Sequence, residues 1–198
     1  MDIPALQLSS GQLLWALNRG RPPSPRLRNE LRYLRQLGVP HAEDAVGEGR
    51  GNRLRYGYEE LIEVGVAMDA IRRGMKPREA AQLLIRERPT FRTLFRQALE
   101  EQPEAALTAD WVKSRGKFIP MLSQDLQLRL HDRYTATPGT FQIIKADGDT
   151  APADLFGMSE VFADGEQRVL IPLTRLALEL LAWALEVPAI RPGRAARG

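Results

Sequence analysis

The chain contains no cysteine, which removes disulfides, thiolate nucleophiles and every Cys-based metal site from consideration. It has only two histidines, His41 and His131, too few for a multi-histidine metal centre. No stretch approaches the roughly 18 consecutive apolar residues of a membrane span. The Met-Asp-Ile-Pro start lacks the charged segment and apolar run of a secretory signal. The expectation is a cytoplasmic protein without a membrane partner. A large charge imbalance is also missing: 28 Lys+Arg against 25 Asp+Glu give +3, so the total alone selects no partner. With 198 residues and 43% hydrophobic content, the chain can bury the core of one or two small domains.

What the chain does have is a local concentration of arginine. Residues 19 to 56 hold nine arginines against four acids, and residues 72 to 96 hold eight basic residues against Glu79 and Glu87, while the remainder is net −8. Within the first of these regions, Leu27, Leu31, Leu34 and Leu37 fall at helical spacing, and Arg28, Arg32 and Arg35 lie about 100° round the helix from them. A core face thus sits beside an arginine face. Ser24 offers an N-cap, Pro25 suits the first helical position and Gly38 suits the end, so the helix is predicted from about 25 to 37. Tyr33 can pack its ring and present its hydroxyl to a phosphate.

Next comes Gly47-Glu-Gly-Arg-Gly-Asn52, followed by Arg53-Leu54-Arg55-Tyr56-Gly57-Tyr58, a glycine-rich tip beside a short alternating strand. That pattern suggests a two-stranded wing over about residues 41 to 58, with Arg50, Arg53 and Arg55 along it. It is not a nucleotide loop, because neither Gly-x-x-x-x-Gly-Lys-Ser/Thr nor a Gly-x-Gly-x-x-Gly in βαβ context is present. A helix carrying Leu61, Ile62, Val64, Met68 and Ile71 follows, closed by Arg72, Arg73 and Gly74. Another is predicted over about 76 to 87, with Pro77 at its start and Ala80, Ala81, Leu83 and Leu84 along one side.

Over residues 9 to 86 the chain resembles the MerR family of winged-helix transcriptional regulators. The resemblance rests on Leu31-Arg32-Tyr33 with Gly38-Val39, on Tyr56 with Glu59-Glu60-Leu61, and on Gly74-Met75-Lys76-Pro77-Arg78-Glu79-Ala80. It implies that Arg32 and Tyr33 contact DNA from a recognition helix and Tyr56 from the wing. Leu54 stands where the family usually has a wing arginine, which passes that role to Arg53 or Arg55. Pro103 ends the predicted helix 91 to 101 before the length of the family's coiled-coil dimerisation helix. The resemblance further implies a nucleoid-associated homodimer on palindromic double-stranded DNA, with RNA polymerase as an open third partner. Without cysteine, a thiolate metal sensor or Cys-ligated iron–sulfur sensor is excluded.

The expected fold is mainly α with small β. A winged helix-turn-helix domain spans 1 to 88, a helical C-terminal domain containing a small sheet or hairpin spans 89 to 188, and a disordered basic tail with Arg191, Arg194 and Arg197 spans 189 to 198. In the middle part, Phe91-Leu94-Phe95-Ala98-Leu99 and Leu122-Leu126-Leu130 read as helical, joined by a linker near 101 to 108. Trp111, Phe118 and Tyr134 read as core. Phe141 to Lys145 and Gln167 to Ile171 read as β-like runs. From Thr174 a strongly apolar helix carries Leu176, Leu180, Leu181, Trp183 and Leu185 to a stop at Pro188, as either core or a dimer interface.

Catalysis has little support. His131 reads as a polar helix residue, and Asp147, Asp149 and Asp154 around Gly148 as turn chemistry, since the EF-hand glutamate spacing is missing. Neither an enzymatic activity nor a cofactor or metal is expected. The leading reading is a sequence-specific DNA-binding regulator with Arg26, Arg28, Arg32, Tyr33, Arg35, Arg50, Arg53, Arg55, Tyr56 and Tyr58 as candidate contacts. Two other readings stay open: an architectural excision or partition factor of a mobile element that bends DNA, and an adaptor whose arginine face binds an acidic protein.

Overall fold

Capping chemistry written into the sequence delimits the first helices of the computed structural model, which describes residues 2–40, 54–100, 102, 125–131, 141–146 and 168–188. Ser9 caps α1 (Ser10–Leu17) through a reciprocal pair: its hydroxyl accepts from the Gln12 N–H at 3.3 Å, and the Gln12 side chain accepts from the Ser9 N–H at 2.9 Å. Four otherwise unpaired amides open every helix, so each such bond removes a local cost. The chain then turns through Arg19 (φ 54°) and Gly20 (φ 71°). The Asn18 amide fixes the turn by donating to the carbonyls of Arg21 and Pro22 at 3.2 and 2.7 Å.

Helix α2 runs from Pro25 to Gln36, with the Ser24 hydroxyl accepting from the Leu27 N–H at 3.2 Å. Its exit is Gly38, whose φ of 87° is open to glycine and strained for other residues. Helix α3 (Tyr58–Arg72) is central, with almost every residue from Leu61 to Ala70 buried. It is followed by α4 (Pro77–Arg86) and α5 (Arg88–Glu100). A single antiparallel bridge pairs Leu8 with Tyr56, just before α3.

Beyond α5 the described chain forms a three-stranded antiparallel sheet of β1 (Asp125–His131), β2 (Phe141–Ala146) and β3 (Arg168–Pro172) in the order β2-β1-β3. Two β-like runs are therefore strands, as expected, but a helix through Leu126 and Leu130 is not formed. The i, i+4 spacing of Leu122, Leu126 and Leu130 left out Leu128, which turns the same residues into strict period-2 alternation. Leu126 and Leu128 are buried, and Leu128 pairs with Ile143 on one side and Ile171 on the other. His131 accordingly closes a strand and is not a helical residue.

Helix α6 (Leu173–Leu185) follows β3 directly. Thr174 is fully buried and lies inside this helix; its hydroxyl accepts from the Leu126 N–H at 2.8 Å, which ties α6 to β1. The helix packs against α1, α3, α5 and β1. Leu180 and Leu181 are buried, Leu176 and Trp183 are partly buried against the same core, and Trp183 meets Trp15 edge-to-face at 5.5 Å. Of the two roles left open for this helix, core or dimer interface, Leu180 and Leu181 take the core one, while Leu176 and Trp183 keep part of their surface uncovered. Helices α5 and α6 lie beyond the expected boundary at 88, and their buried residues belong to one cluster with those of α1 to α4. The protein is mainly helical with a small β component.

The expected wing tip with His41, Arg50 and Arg53, most of the linker, Trp111, Phe118, Tyr134, Asp147, Asp149, Asp154 and the basic tail lie outside the described residues.

Candidate nucleic-acid interface

The amphipathic pattern of α2 separates its two faces. Leu27, Leu31 and Leu34 are buried, whereas Arg26, Arg28, Arg32, Tyr33 and Arg35 are exposed, Tyr33 to 40%. The single acid of the helix, Glu30, is engaged by the Arg26 guanidinium at 2.8 Å. Arg28, Arg32 and Arg35 meet no carboxylate among the described residues. Three unneutralised guanidiniums within about two turns create a local positive potential, which favours a polyanion. Arg55 is likewise exposed, one residue before the Leu8–Tyr56 bridge.

Two tyrosines of the candidate set face inwards. Tyr56 is fully buried, exchanges backbone hydrogen bonds with Leu8 at 2.9 Å each, and has its hydroxyl 3.3 Å from that of Ser10. Extended backbone alternates sides, so an exposed Arg55 sends Tyr56 into the core. Tyr58 is 3% exposed and its phenol donates to the Phe95 carbonyl at 2.6 Å. Burial pushes that phenol's pKa up, with Glu59 and Glu100 adding to the shift. Both tyrosines are therefore structural, and the expectation that they touch DNA is corrected.

The end of α2 is held by a group that local sequence reading missed. Arg88, at the start of α5, donates through Nη2 to the Gly38 carbonyl at 2.7 Å and to Glu63 Oε1 at 2.8 Å, and through Nε to the same oxygen at 3.1 Å. Glu63 lies on α3 and is 1% exposed. Burial pushes its carboxyl pKa up, and the Arg88 hydrogen bond and charge oppose the shift. One guanidinium thus bridges α2, α3 and α5.

Two further arginines extend this arrangement along α5. Arg92 meets Glu60 at 3.1 Å and Glu59 at 3.3 Å, and Arg96 meets Glu59 at 2.6 Å. A signal existed in the sequence: Arg88, Arg92 and Arg96 recur every four residues, opposite Glu59, Glu60 and Glu63. The consequence is that part of the basic excess in residues 72 to 96 is neutralised internally. Exposed cations of that stretch that meet no acid among the described residues include Arg72, Lys76 and Arg78, around the α3–α4 turn.

No protein-family model, curated protein or solved structure matches this chain. Among the described residues no group of three or more His, Asp or Glu is placed to hold a metal ion. No helix among them is long and apolar enough to cross a membrane.

Proposed function

We propose that the chain is a sequence-specific DNA-binding regulator of MerR-like winged-helix type. Helix α2 enters the major groove, and Arg50, Arg53 and Arg55 track the neighbouring backbone or minor groove. The observation that carries this reading is the exposed face of α2, where Arg28, Arg32 and Arg35 meet no acid among the described residues and Glu30 is engaged by Arg26. Guanidiniums supply both phosphate contacts and bidentate contacts to guanine, so one helix provides affinity and readout. The protein acts as a homodimer on a palindrome.

The test is selection from a random duplex pool at near-physiological salt, with the protein's mass in solution recorded alongside. An enriched palindrome bound by a dimer is the expected result. Binding without enrichment moves the protein to the architectural, DNA-bending class. Absence of binding even at low salt overturns the DNA reading and leaves the adaptor.

A further inference from the structure

We infer that Arg88 is a positioning residue for recognition: it fixes the exit of α2 so that the arginine face meets base edges in register. This rests on the DNA-binding reading above. Arg88 itself is away from the exposed face, with its side chain 18% exposed against 1% for Glu63. Its fork spans two acceptors on different elements, the Gly38 carbonyl at 2.7 Å and the Glu63 carboxylate at 2.8 Å.

Three features make the bridge specific to α2. Gly38 is the left-handed residue that ends the helix, so its carbonyl direction reports the helix axis at that end. It is buried, so water does not readily replace the donor. The other hydrogen bonds at this end among the described residues are local, from the Leu37 N–H to the Tyr33 and Leu34 carbonyls, the Gly38 N–H to the Arg35 carbonyl and the Val39 N–H to the Leu34 carbonyl. Those bonds close the helix on itself; beside the apolar packing of Leu34 and Val39, Arg88 adds a directional polar link from this end to α3 and α5. Arginine suits the task because a planar fork satisfies two acceptors at once, which an ammonium on a flexible stem does not.

Phosphate contacts tolerate small displacements, since the field of a charge falls off gradually, whereas bidentate base contacts depend on direction. Loosening α2 therefore lowers discrimination before it lowers non-specific affinity. Arg88→Met alone leaves Glu63 as an uncompensated buried charge and is prone to unfold. The informative variant is Glu63→Leu with Arg88→Met, which removes both ionised partners, keeps apolar volume, and deletes the donor to Gly38. Arg88→Lys supplies a second background in which the buried carboxylate keeps a cation but loses the fork.

Each protein is titrated with the duplex enriched by selection and with a scrambled duplex, over a series of salt concentrations, at a temperature where circular dichroism shows it folded. The expected result is that both variants keep the wild-type salt slope and affinity for scrambled DNA, while the specific-to-scrambled ratio falls roughly tenfold or more, the discrimination of about one good bidentate contact. An unchanged ratio in a folded variant overturns the inference, because Arg88 then serves stability alone. A reduced salt slope also overturns it, because Arg88 would then be a phosphate ligand. If the wild-type protein binds DNA but enriches no duplex, or binds none, the sequence-specific reading fails first and the inference with it.

Discussion

Gly20 offers a test of the packing of α6 against the turn between α1 and α2. A β-carbon on Gly20 would overlap the Trp183 ring, with Cε3 at 2.7 Å and Cη2 at 2.9 Å among the atoms met. The ring has limited room to retreat because Trp15 stands edge-on to it at 5.5 Å. Gly20→Ala carries a backbone penalty at φ 71°, of order 1–2 kcal/mol for an L residue in the left-handed region. Displacing the ring adds about 1–3 kcal/mol of overpacking. The sum is about 2–5 kcal/mol, or roughly 5–20 °C in Tm for a chain of this size. Gly74→Ala is a comparison without a steric part, since a β-carbon there meets nothing within 4 Å; its φ of 104° lies further from the left-handed well than that of Gly20, so its backbone penalty is at least as large. Denaturant unfolding gives both values, provided the slope m is unchanged. In a Trp183→Leu background the steric part of the Gly20 effect should vanish, a coupling of about 1–3 kcal/mol in the double-mutant cycle. Additive effects would refute the contact and with it the placement of α6 against the α1–α2 turn.

The remaining predictions concern the buried pair, the last helix and base reading. Glu63 has its carboxyl pKa raised in the folded state, so the folded chain holds a proton that the unfolded chain releases. Its contribution is therefore lost as pH rises from the ordinary glutamate range, near ~4.3, through the folded pKa. Relative to Glu63→Gln, the wild type should lose stability across that window in paired denaturation curves, and a constant or opposite difference would count against the burial argument. Truncation before Leu173 removes Ala177, Leu178 and Leu181 from the core and should abolish cooperative thermal unfolding; a cooperatively folded truncated chain would restore the interface reading of α6. If one of Arg28, Arg32 or Arg35 reads a guanine, its alanine variant should lose about 1–3 kcal/mol at one base position of the selected site and little elsewhere, measured by a single-substitution panel.

Helix α2 was legible because everything that defines it is local. Ser24 and Pro25 start it, Gly38 ends it, and Leu27, Leu31 and Leu34 mark the face it buries. Strand β1 was ambiguous because the same leucines fit two periods, and neighbours decided which one held: β2 and β3 supply backbone partners along its length. The role of α6 could not be read from its own residues, since an apolar helix matches a core and an interface equally well, and the contacts that settle it come from α1 and α3, more than a hundred residues earlier. The inward turn of Tyr56 and Tyr58 follows from a bridge to Leu8 and a hydrogen bond to Phe95, both long-range. Arg88 and Glu63 belong to the same class: only folding brings a guanidinium of α5 to the end of α2.

The central claim is that the exposed face of α2 is the DNA-binding surface. Its most direct test is the salt dependence of binding to the selected duplex for the wild type and for Arg28→Ala/Arg32→Ala/Arg35→Ala, whose side chains are exposed and whose loss should leave the fold intact. The account predicts loss of sequence discrimination and a fall in the slope of log K against log salt of up to about three units, near one for each guanidinium that contacts phosphate. A folded triple variant with wild-type slope and wild-type discrimination would contradict it.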